Sequence, residues 1–512
     1  MNYDVVLFTE CNGSIGWGRD AGAYTVASRL RENGYCVKVI DFFSHFNYER
    51  FKRAIDLYVS NDTVFLGFSS THFSTLMPED WETHWSADSR TRKSNMWNVY
   101  FPFPQDEITQ WFDYAKNKHP QIRIVVGGQK VAQKQALQKR YPMVDYWVGG
   151  MADRSIIGLL TDLQSNKTVP LKIKSESDYG SITEKEFKFS KIHWDESDFI
   201  FPGEALPLEI SRGCPFKCAF CDYPKKAVNS WTLDETHLRN VLLENHDKFG
   251  TTHYMLTDFQ INENMEKMSM IHRVFTSLPF DITWTGFGRL DLLYQKPEMI
   301  NMISESGCRS IQWGIETVTD AVGPLIGKVT RKNIIESALQ KCRDSWGDSI
   351  VMGSGFILGL PGETLQTCQA LVDWIGSQPW LNAWEITPLY IGGYDPNKAY
   401  TIDYSKIQKD PKTYGYDVIL EPNDKGIYVE EWQNGDMTKT AMINIIEEAQ
   451  KSPAWQKRIM TSYLGYSRCS NLGFTHNELI NANKYNTTWI KQHADSYKKI
   501  ANEYLRKNNL YE

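Results

Sequence analysis

Three cysteines within eight residues constrain this chain more than any other feature. Cys214, Cys218 and Cys221 lie in SRGCPFKCAFCDYP, with C-x3-C-x2-C spacing and no fourth cysteine nearby. Thiolates are soft ligands that favour iron–sulfur clusters, copper(I) or zinc. A structural zinc site takes four protein ligands, whereas a cubane held by three thiolates leaves one iron open to a further ligand. The spacing favours the cubane, with a zinc knuckle or three unrelated buried thiols as the alternatives.

The residues before the cysteines predict where the thiols lie. ALPLEIS has the apolar pattern of a buried strand, and Gly213 and Pro215 then interrupt it. The cysteines therefore belong to a loop at the C-terminal end of a strand, which is where α/β barrels place their chemistry.

CPFKCAFC, with the aromatic Phe220 before the third cysteine, resembles the signature of the radical S-adenosylmethionine (radical SAM) superfamily. The resemblance implies that Cys214, Cys218 and Cys221 hold a 4Fe–4S cluster and that Phe220 lies beside the cofactors. In that family the open iron chelates SAM, and the reduced cluster cleaves SAM to a 5′-deoxyadenosyl radical. The protein then orients the substrate and excludes side reactions.

Strand–helix alternation over 201–395 predicts a partial (β/α)6 TIM-type barrel of six strands beginning at LPLEIS. Within it, TDFQIN resembles the family's second-strand acidic motif, which implies that Asp258 contacts the amino group of SAM. GRLD and GIET resemble motifs of the cobalamin-linked subgroup, so Glu316 is expected to bind polar groups of SAM. FILGLPGET resembles the segment that lines the adenine, with Gly359 permitting close approach. A structural cap or a simple turn is the alternative for each of these positions.

Residues 1–165 alternate strands and helices in the manner of a Rossmann-like or flavodoxin-like domain, whose ligand site lies beyond the strand C-termini. This half resembles the cobalamin-binding domain that precedes some radical SAM barrels. The resemblance rests on GRDAGAYTVASRLRENGYCVKVID, on GFSSTHFSTL, which contains Ser69, and on RIVVGG, which contains Gly127 and Gly128. It implies that these three residues line the cofactor, the glycines by allowing close approach of the backbone.

One departure from the cobalamin pattern is plain. The D-x-H-x-x-G segment that supplies an axial histidine in some cobalamin proteins is replaced by ECNGSIG. We therefore expect cobalamin to bind without a lower histidine from this chain, with His72 as the alternative donor. A docking domain that binds no cofactor is the other alternative.

Two further segments complete the predicted organisation. Residues 166–200 are polar, acidic and lysine-rich, which predicts a linker. Residues 396–512 form a mainly helical C-terminal domain whose only cysteine is Cys469, which argues against auxiliary iron–sulfur clusters.

Composition favours a cytoplasmic enzyme. The nine cysteines of the 512 residues are an odd number with three clustered, as expected in a reducing compartment. A formal charge of −6 with pI about 6.1 gives no basic footprint for nucleic acid. No apolar stretch approaches the ~18 residues needed to cross a membrane, and no secretory leader is recognisable.

These features predict a radical SAM enzyme, with cobalamin-dependent methyl transfer to an unactivated carbon as the favoured reaction. The expected substrate is a small molecule or a peptide, and the expected electron donor is a flavodoxin or ferredoxin. Radical rearrangement, cyclisation or oxidation without methyl transfer is the first alternative. A non-catalytic regulator that binds SAM or cobalamin is the second.

Overall fold

A computed structural model of the chain describes residues 2–11, 16–69, 105–128, 141–165, 173–174, 176–221, 230–391, 405–422, 428–459, 463–482 and 487–511. Two parallel six-stranded sheets dominate these residues, one in each predicted α/β region. The α/β fold class predicted from the sequence is confirmed.

The N-terminal sheet has the strand order β2-β1-β3-β4-β5-β6, and all its neighbouring strands are parallel. Its strands are β1 (Val5–Phe8), β2 (Val37–Ile40), β3 (Phe65–Ser69), β4 (Arg123–Gly127), β5 (Tyr146–Val148) and β6 (Ile173–Lys174). Successive side chains of β1 enter two different cores: Val5 and Leu7 pack in one, Val6 and Phe8 in the other. A strand buried on both faces must be apolar throughout, which is why VVLF does not alternate.

Helices cover both faces of this sheet, as a doubly wound fold requires. They are α1 (Ala21–Glu32), α2 (Tyr48–Tyr58), α3 (Gln105–Lys118) and α4 (Ser155–Gln164). The chain order 2-1-3-4-5 is the flavodoxin-like order, in which the ligand crevice opens between β1 and β3. Asp20 caps α1 beside that point, since its side chain accepts a hydrogen bond from the Gly22 amide.

The second sheet has the order β14-β13-β12-β11-β10-β7, again parallel throughout. Its strands are β7 (Leu206–Leu208), β10 (His253–Leu256), β11 (Thr283–Gly288), β12 (Cys308–Glu316), β13 (Val351–Leu358) and β14 (Ala383–Pro388). Between β7 and β10, the short β8 (Ser211–Arg212) pairs antiparallel with β9 (Trp231–Thr232). The six predicted strands are present in sequence order, and the first and last do not pair, so the barrel is open.

Helices between these strands cover the outside of the barrel. They are α7 (Glu235–Phe249), α8 (Met265–Thr276), α9 (Leu290–Gln295), α10 (Met299–Glu305), α11 (Gly323–Ile326), α12 (Lys332–Trp346) and α13 (Leu365–Ser377). α7 shows how sequence sets the bounds, because Asp234 caps its first turn and Gly250, at φ 65°, ends it.

The predicted linker is more ordered than its composition suggested. It contains α5 (Glu176–Tyr179) and α6 (Glu184–Phe187), and Phe187 and Trp194 enter the main core. Asp198 is fully buried and pairs with Arg31 of α1 at 2.8 Å. At least one of the acidic residues that indicated a solvated linker, Asp198, instead forms a buried ion pair with the N-terminal domain.

The C-terminal region is not only helical. Its helices are α14 (Lys406–Lys409), α15 (Lys439–Gln450), α16 (Pro453–Gln456), α17 (Leu464–Ser470), α18 (His476–Ile480) and α19 (Thr487–Lys507). They are joined by an antiparallel sheet of β15 (Asp417–Pro422), β16 (Tyr428–Asn434) and β17 (Met437–Thr438). α19 returns to the N-terminal domain, where Tyr497 and Tyr504 pack with Trp17 and Phe42. Among the helices described, none combines the length and apolar content needed to cross a membrane.

Candidate active site at the junction of the two sheets

The cysteine loop leaves the C-terminal end of β7, as the sequence predicted. Gly213, at φ 105°, turns the chain out of the strand in a conformation that favours glycine. The Cys221 amide then donates to the Cys218 carbonyl at 3.2 Å, and the Ala219 amide donates to the Ile326 carbonyl at 2.9 Å. The loop is therefore folded on itself and tied to α11.

The three thiols fit a cluster by donor chemistry and are not joined in disulfides. Cys218 is buried, and Cys214 and Cys221 are partly exposed. Within the described ranges, no three His, Cys, Asp or Glu side chains are arranged to hold a metal ion. The described thiols are therefore not already arranged as a metal site, and their role as cluster ligands stays a prediction.

Arg289, which the sequence analysis did not single out, lies beside this loop. Its guanidinium is 3.8 Å from the centre of the Phe216 ring and pairs with Asp291 at 2.7 Å. Burial raises the pKa of the Cys214 thiol, while the Phe216 amide and the Arg289 charge act in the opposite direction. A fixed cation here favours the thiolate form that iron requires. GRLD was recognised as a motif, but only the fold brings its arginine to the cysteines.

Asp258 lies at the end of β10, as predicted, but its carboxylate already has protein partners. It accepts hydrogen bonds from the Ile210 amide at 3.0 Å and the Ser211 hydroxyl at 2.5 Å, and pairs with Lys267 at 3.0 Å. Asp258 is 1% exposed. The structure therefore assigns it to fixing the strand that leads into Cys214, and a contact with SAM stays a prediction.

Glu316 ends the central strand β12 in an unusual conformation. Its φ is 65°, which L residues rarely adopt, and the pairing of β12 with β13 shifts register there. Its carboxylate pairs with Lys328, and a side chain at Gly314 would collide with both groups. Strained backbone at a bulge commonly re-aims a side chain at a functional site. A role of Glu316 in SAM binding stays a prediction, since its carboxylate already has Lys328 as a partner.

Gly359 has a different neighbour from the one predicted. It has φ 83°, and a Cβ there would collide with the Trp432 ring of β16. The Tyr416 hydroxyl also donates to the Gly359 carbonyl at 2.6 Å. The space beside this glycine is therefore occupied by the C-terminal region, and contact with adenine stays a prediction. Phe220 is partly buried and packs against the main core.

The predicted cobalamin residues lie on the C-terminal edge of the N-terminal sheet. Ser69 donates to Asp20 at 3.0 Å, so the end of β3 is joined to the start of α1. A Cβ added at Gly127 would meet nothing closer than the Val148 carbonyl at 3.6 Å, and Gly128 has φ 120°. Among the described residues a Cβ at Gly127 would therefore make only ordinary contacts, and the role of these residues in binding cobalamin stays a prediction. His72 lies outside the described residues.

The C-terminal edges of the two sheets meet. Arg212, two residues before Cys214, pairs at 2.9 Å with Asp153, which follows β5 of the N-terminal sheet. Both side chains are less than 10% exposed. The cysteine loop therefore lies against the edge where the N-terminal domain would bind its ligand.

Residues 208–375 match the family model of the radical SAM superfamily. The chain carries a radical SAM domain. That domain spans β7 to α13 and includes the cysteine loop, Asp258, Glu316 and Gly359. The match supports the 4Fe–4S cluster and SAM as cofactors.

Curated relatives are similar over part of their length. An uncharacterised methyltransferase of Pyrococcus horikoshii is 26% identical over 180 residues, which is 34% of this chain and 37% of that protein. Bacteriochlorophyllide d C-8(2)-methyltransferase of Chlorobaculum tepidum is 22% identical over 254 residues, 45% of this chain and 52% of that protein. The chain thus spans between about a third and a half of these relatives.

Two solved structures share the wider fold of this chain. The radical SAM methyltransferase TsrM from Kitasatospora setae, with cobalamin and a [4Fe-4S] cluster bound, matches 98% of this chain and 100% of its own. Its TM-score is 0.63 at 12% identity. The cobalamin-dependent SAM radical enzyme OxsB matches 80% of this chain and 56% of its own, with TM-score 0.54 at 16% identity. At such identities the likeness establishes the fold.

Proposed function

We propose that the protein is a cobalamin-dependent radical SAM methyltransferase that acts on an unactivated carbon of a small molecule or peptide. The observation that carries the proposal is the direct contact between the C-terminal edges of the two sheets, made by the Arg212–Asp153 pair. Methyl transfer of this kind needs the radical source and the methyl carrier on either side of one substrate. A fold match over 98% of this chain and all of TsrM supports the same arrangement.

The barrel edge would hold the cluster and SAM. Cys214, Cys218 and Cys221 would hold the cluster, and Glu316 would hold SAM, with Arg289 balancing the negative charge of the thiolates. When bound, the cluster and SAM supply a carbon-centred radical, and cobalamin supplies a transferable methyl group.

The N-terminal edge would contribute the carrier site. Ser69 offers a hydroxyl, and Gly127 and Gly128 let a large ring approach the backbone. The buried Arg212–Asp153 pair would help to hold the two edges together at this point. A flavodoxin or ferredoxin is the proposed electron donor, because the cluster must be reduced before SAM is cleaved.

Radical chemistry without methyl transfer is the second candidate. OxsB, which shares the two-domain fold, is described as a radical enzyme without reference to methyl transfer. The contact between the two edges would serve such a reaction as well, so only the fate of the methyl group separates the two.

The test uses anaerobically reconstituted, cobalamin-loaded protein with a chemical reductant and SAM carrying a 13C-labelled methyl group. Small-molecule and peptide fractions of the source organism serve as substrate, with Cys218→Ala as the matched inactive control. We expect the label in a product that the control does not form. Formation of a new product without label would favour the second candidate, and absence of SAM cleavage would contradict both.

A further inference from the structure

Arg468 of α17 lies where the N-terminal domain meets the barrel. Its carbonyl accepts a hydrogen bond from the Trp17 amide at 3.3 Å, in the segment that follows β1. A side chain at Gly18 would meet Arg468 Cγ at 3.3 Å and the methyl carbon of Met255, on β10, at 2.8 Å. Arg468 is therefore in contact with the region between β1 of one sheet and β10 of the other.

The guanidinium of Arg468 has no partner among the residues described. Its Nε atom is buried without a hydrogen bond, and the side chain makes no ion pair. Burial lowers the pKa of Arg468 below its usual value, because Tyr463, Asp20 and Cys11 compensate only in part. A guanidinium offers five donors, and leaving a buried donor such as this Nε–H without a hydrogen bond is unfavourable.

The helix that carries Arg468 is held rigidly in the barrel. Tyr463, just before α17, has φ 45° and ψ −112°, its amide donates to the Ser310 hydroxyl at 2.7 Å, and its own hydroxyl donates to the Leu256 carbonyl at 2.6 Å. Its ring lies 4.0 Å from that of Phe287. A strained residue persists only where its surroundings over-determine it. The position of Arg468 is thus built into the fold.

The ordinary structural roles of an arginine do not account for this one. A cation in the last turn of a helix can bind the final carbonyls, but the described residues give Arg468 no such bond. Asp20, a carboxylate whose charge acts on Arg468, is engaged by Ser69 and the Gly22 amide. The unused donors therefore point to an anion that enters with a ligand.

We propose that Arg468 binds the carboxylate of the substrate in the space between the two sheets. This rests on the proposed function, which places the substrate at that junction. A guanidinium binds a carboxylate through two parallel hydrogen bonds, so it fixes orientation as well as position. The substrate class is accordingly an organic acid, such as an amino acid or a peptide with an accessible carboxylate.

The inference can be tested by binding, without turnover. Reconstituted protein without reductant is titrated calorimetrically with L-tryptophan, L-phenylalanine and indole-3-acetate, and with the amide of each. We expect at least one acid to bind more tightly than its amide. Arg468→Gln should weaken the binding of that acid by at least about 10- to 150-fold, the value of a single charge-assisted hydrogen bond, and leave the affinity for its amide unchanged.

Two control variants distinguish carboxylate binding by Arg468 from an effect of the substitution on folding. Arg239→Gln removes the same charge from α7, remote from the junction, and should leave both affinities unchanged. Arg468→Lys keeps the charge and should restore part of the lost affinity. If no acid is preferred over its amide by the unaltered protein, or if Arg468→Gln keeps the preference, the inference is wrong.

A SAM titration distinguishes the other source of a carboxylate. If Arg468→Gln weakens the binding of SAM but not that of decarboxylated SAM, the anion that Arg468 binds is the carboxylate of SAM. The assignment to the substrate is then overturned. The binding results stand whether or not labelled methyl transfer is observed, so the failure of this inference and the failure of the proposed function are distinguishable.

Discussion

Two arginines near the junction have opposite surroundings. Arg19, between β1 and α1, pairs with Glu204 and Asp41 at 2.6 Å each and donates to the Tyr24 hydroxyl at 2.7 Å. Two linker carbonyls accept its remaining bonds. Arg468, also at a contact between domains, has none of these partners within the described residues. Arg19 is therefore a structural cation that joins parts of the fold, whereas Arg468 is available to a ligand.

The electrostatics of the two sites differ in the same way. Burial alone would lower the pKa of Arg19, but the charges of Glu204 and Asp41 outweigh it and raise the pKa well above its usual value. At Arg468 the burial effect prevails. A buried charge is a structural element when its partners belong to the chain, and it indicates a binding site when they do not.

The largest expected effect lies in the cysteine loop. Cys218→Ala should abolish the cluster absorbance and the formation of 5′-deoxyadenosine, because two thiolates do not hold a cubane firmly. Because the thiol that this substitution removes is small, Cys218→Ala and the unaltered protein should have the same thermal midpoint when both are measured without the cluster. Cys342→Ala, which removes a buried thiol of α12, serves as control and should retain the cluster. Full absorbance in Cys218→Ala would overturn the ligand assignment.

The next effect tests the comparison itself. Arg19→Met leaves Glu204 and Asp41 buried without their cation, which should cost about 3–5 kcal/mol of folding free energy. Arg468→Met removes a cation with no partner and should cost nothing or stabilise the protein. Urea unfolding followed by circular dichroism measures both. An equal loss in the two variants would mean that Arg468 has a structural role.

The sequence predicted what depends on local pattern. Apolar runs located the strands of both sheets, and the cysteine spacing located the loop at the end of β7. It did not predict Arg19, since that residue meets Glu204 185 positions away. Nor did it predict Arg468, whose significance lies in the absence of partners around it.

Other differences arose because one residue pattern serves two purposes. The sequence does not distinguish a glycine that lets adenine approach the backbone from one that lets a tryptophan of the same chain do so. Only the fold shows that Trp432 packs against Gly359. The polar segment 166–200 resembled a linker because its charges, including that of Asp198, gave no sign of the arginines that they meet.

The smallest expected effect distinguishes Glu316 from Asp258, two carboxylates for which the family resemblance implies contact with SAM. Glu316→Gln should weaken SAM binding by about 10- to 150-fold, the value of one charge-assisted hydrogen bond. Its thermal midpoint should fall only modestly, because the Glu316 carboxylate is partly exposed and has Lys328 as its one ion-pair partner among the described residues. Asp258→Asn should lower the midpoint more, since it leaves the buried Lys267 without a counter-charge and also weakens the hydrogen bonds from Ile210 and Ser211. SAM titration and thermal unfolding of both variants, each reconstituted with its cluster, provide the comparison. Unchanged SAM affinity in Glu316→Gln would exclude this residue from the SAM site, and unchanged stability in Asp258→Asn would return Asp258 to the group that serves a ligand.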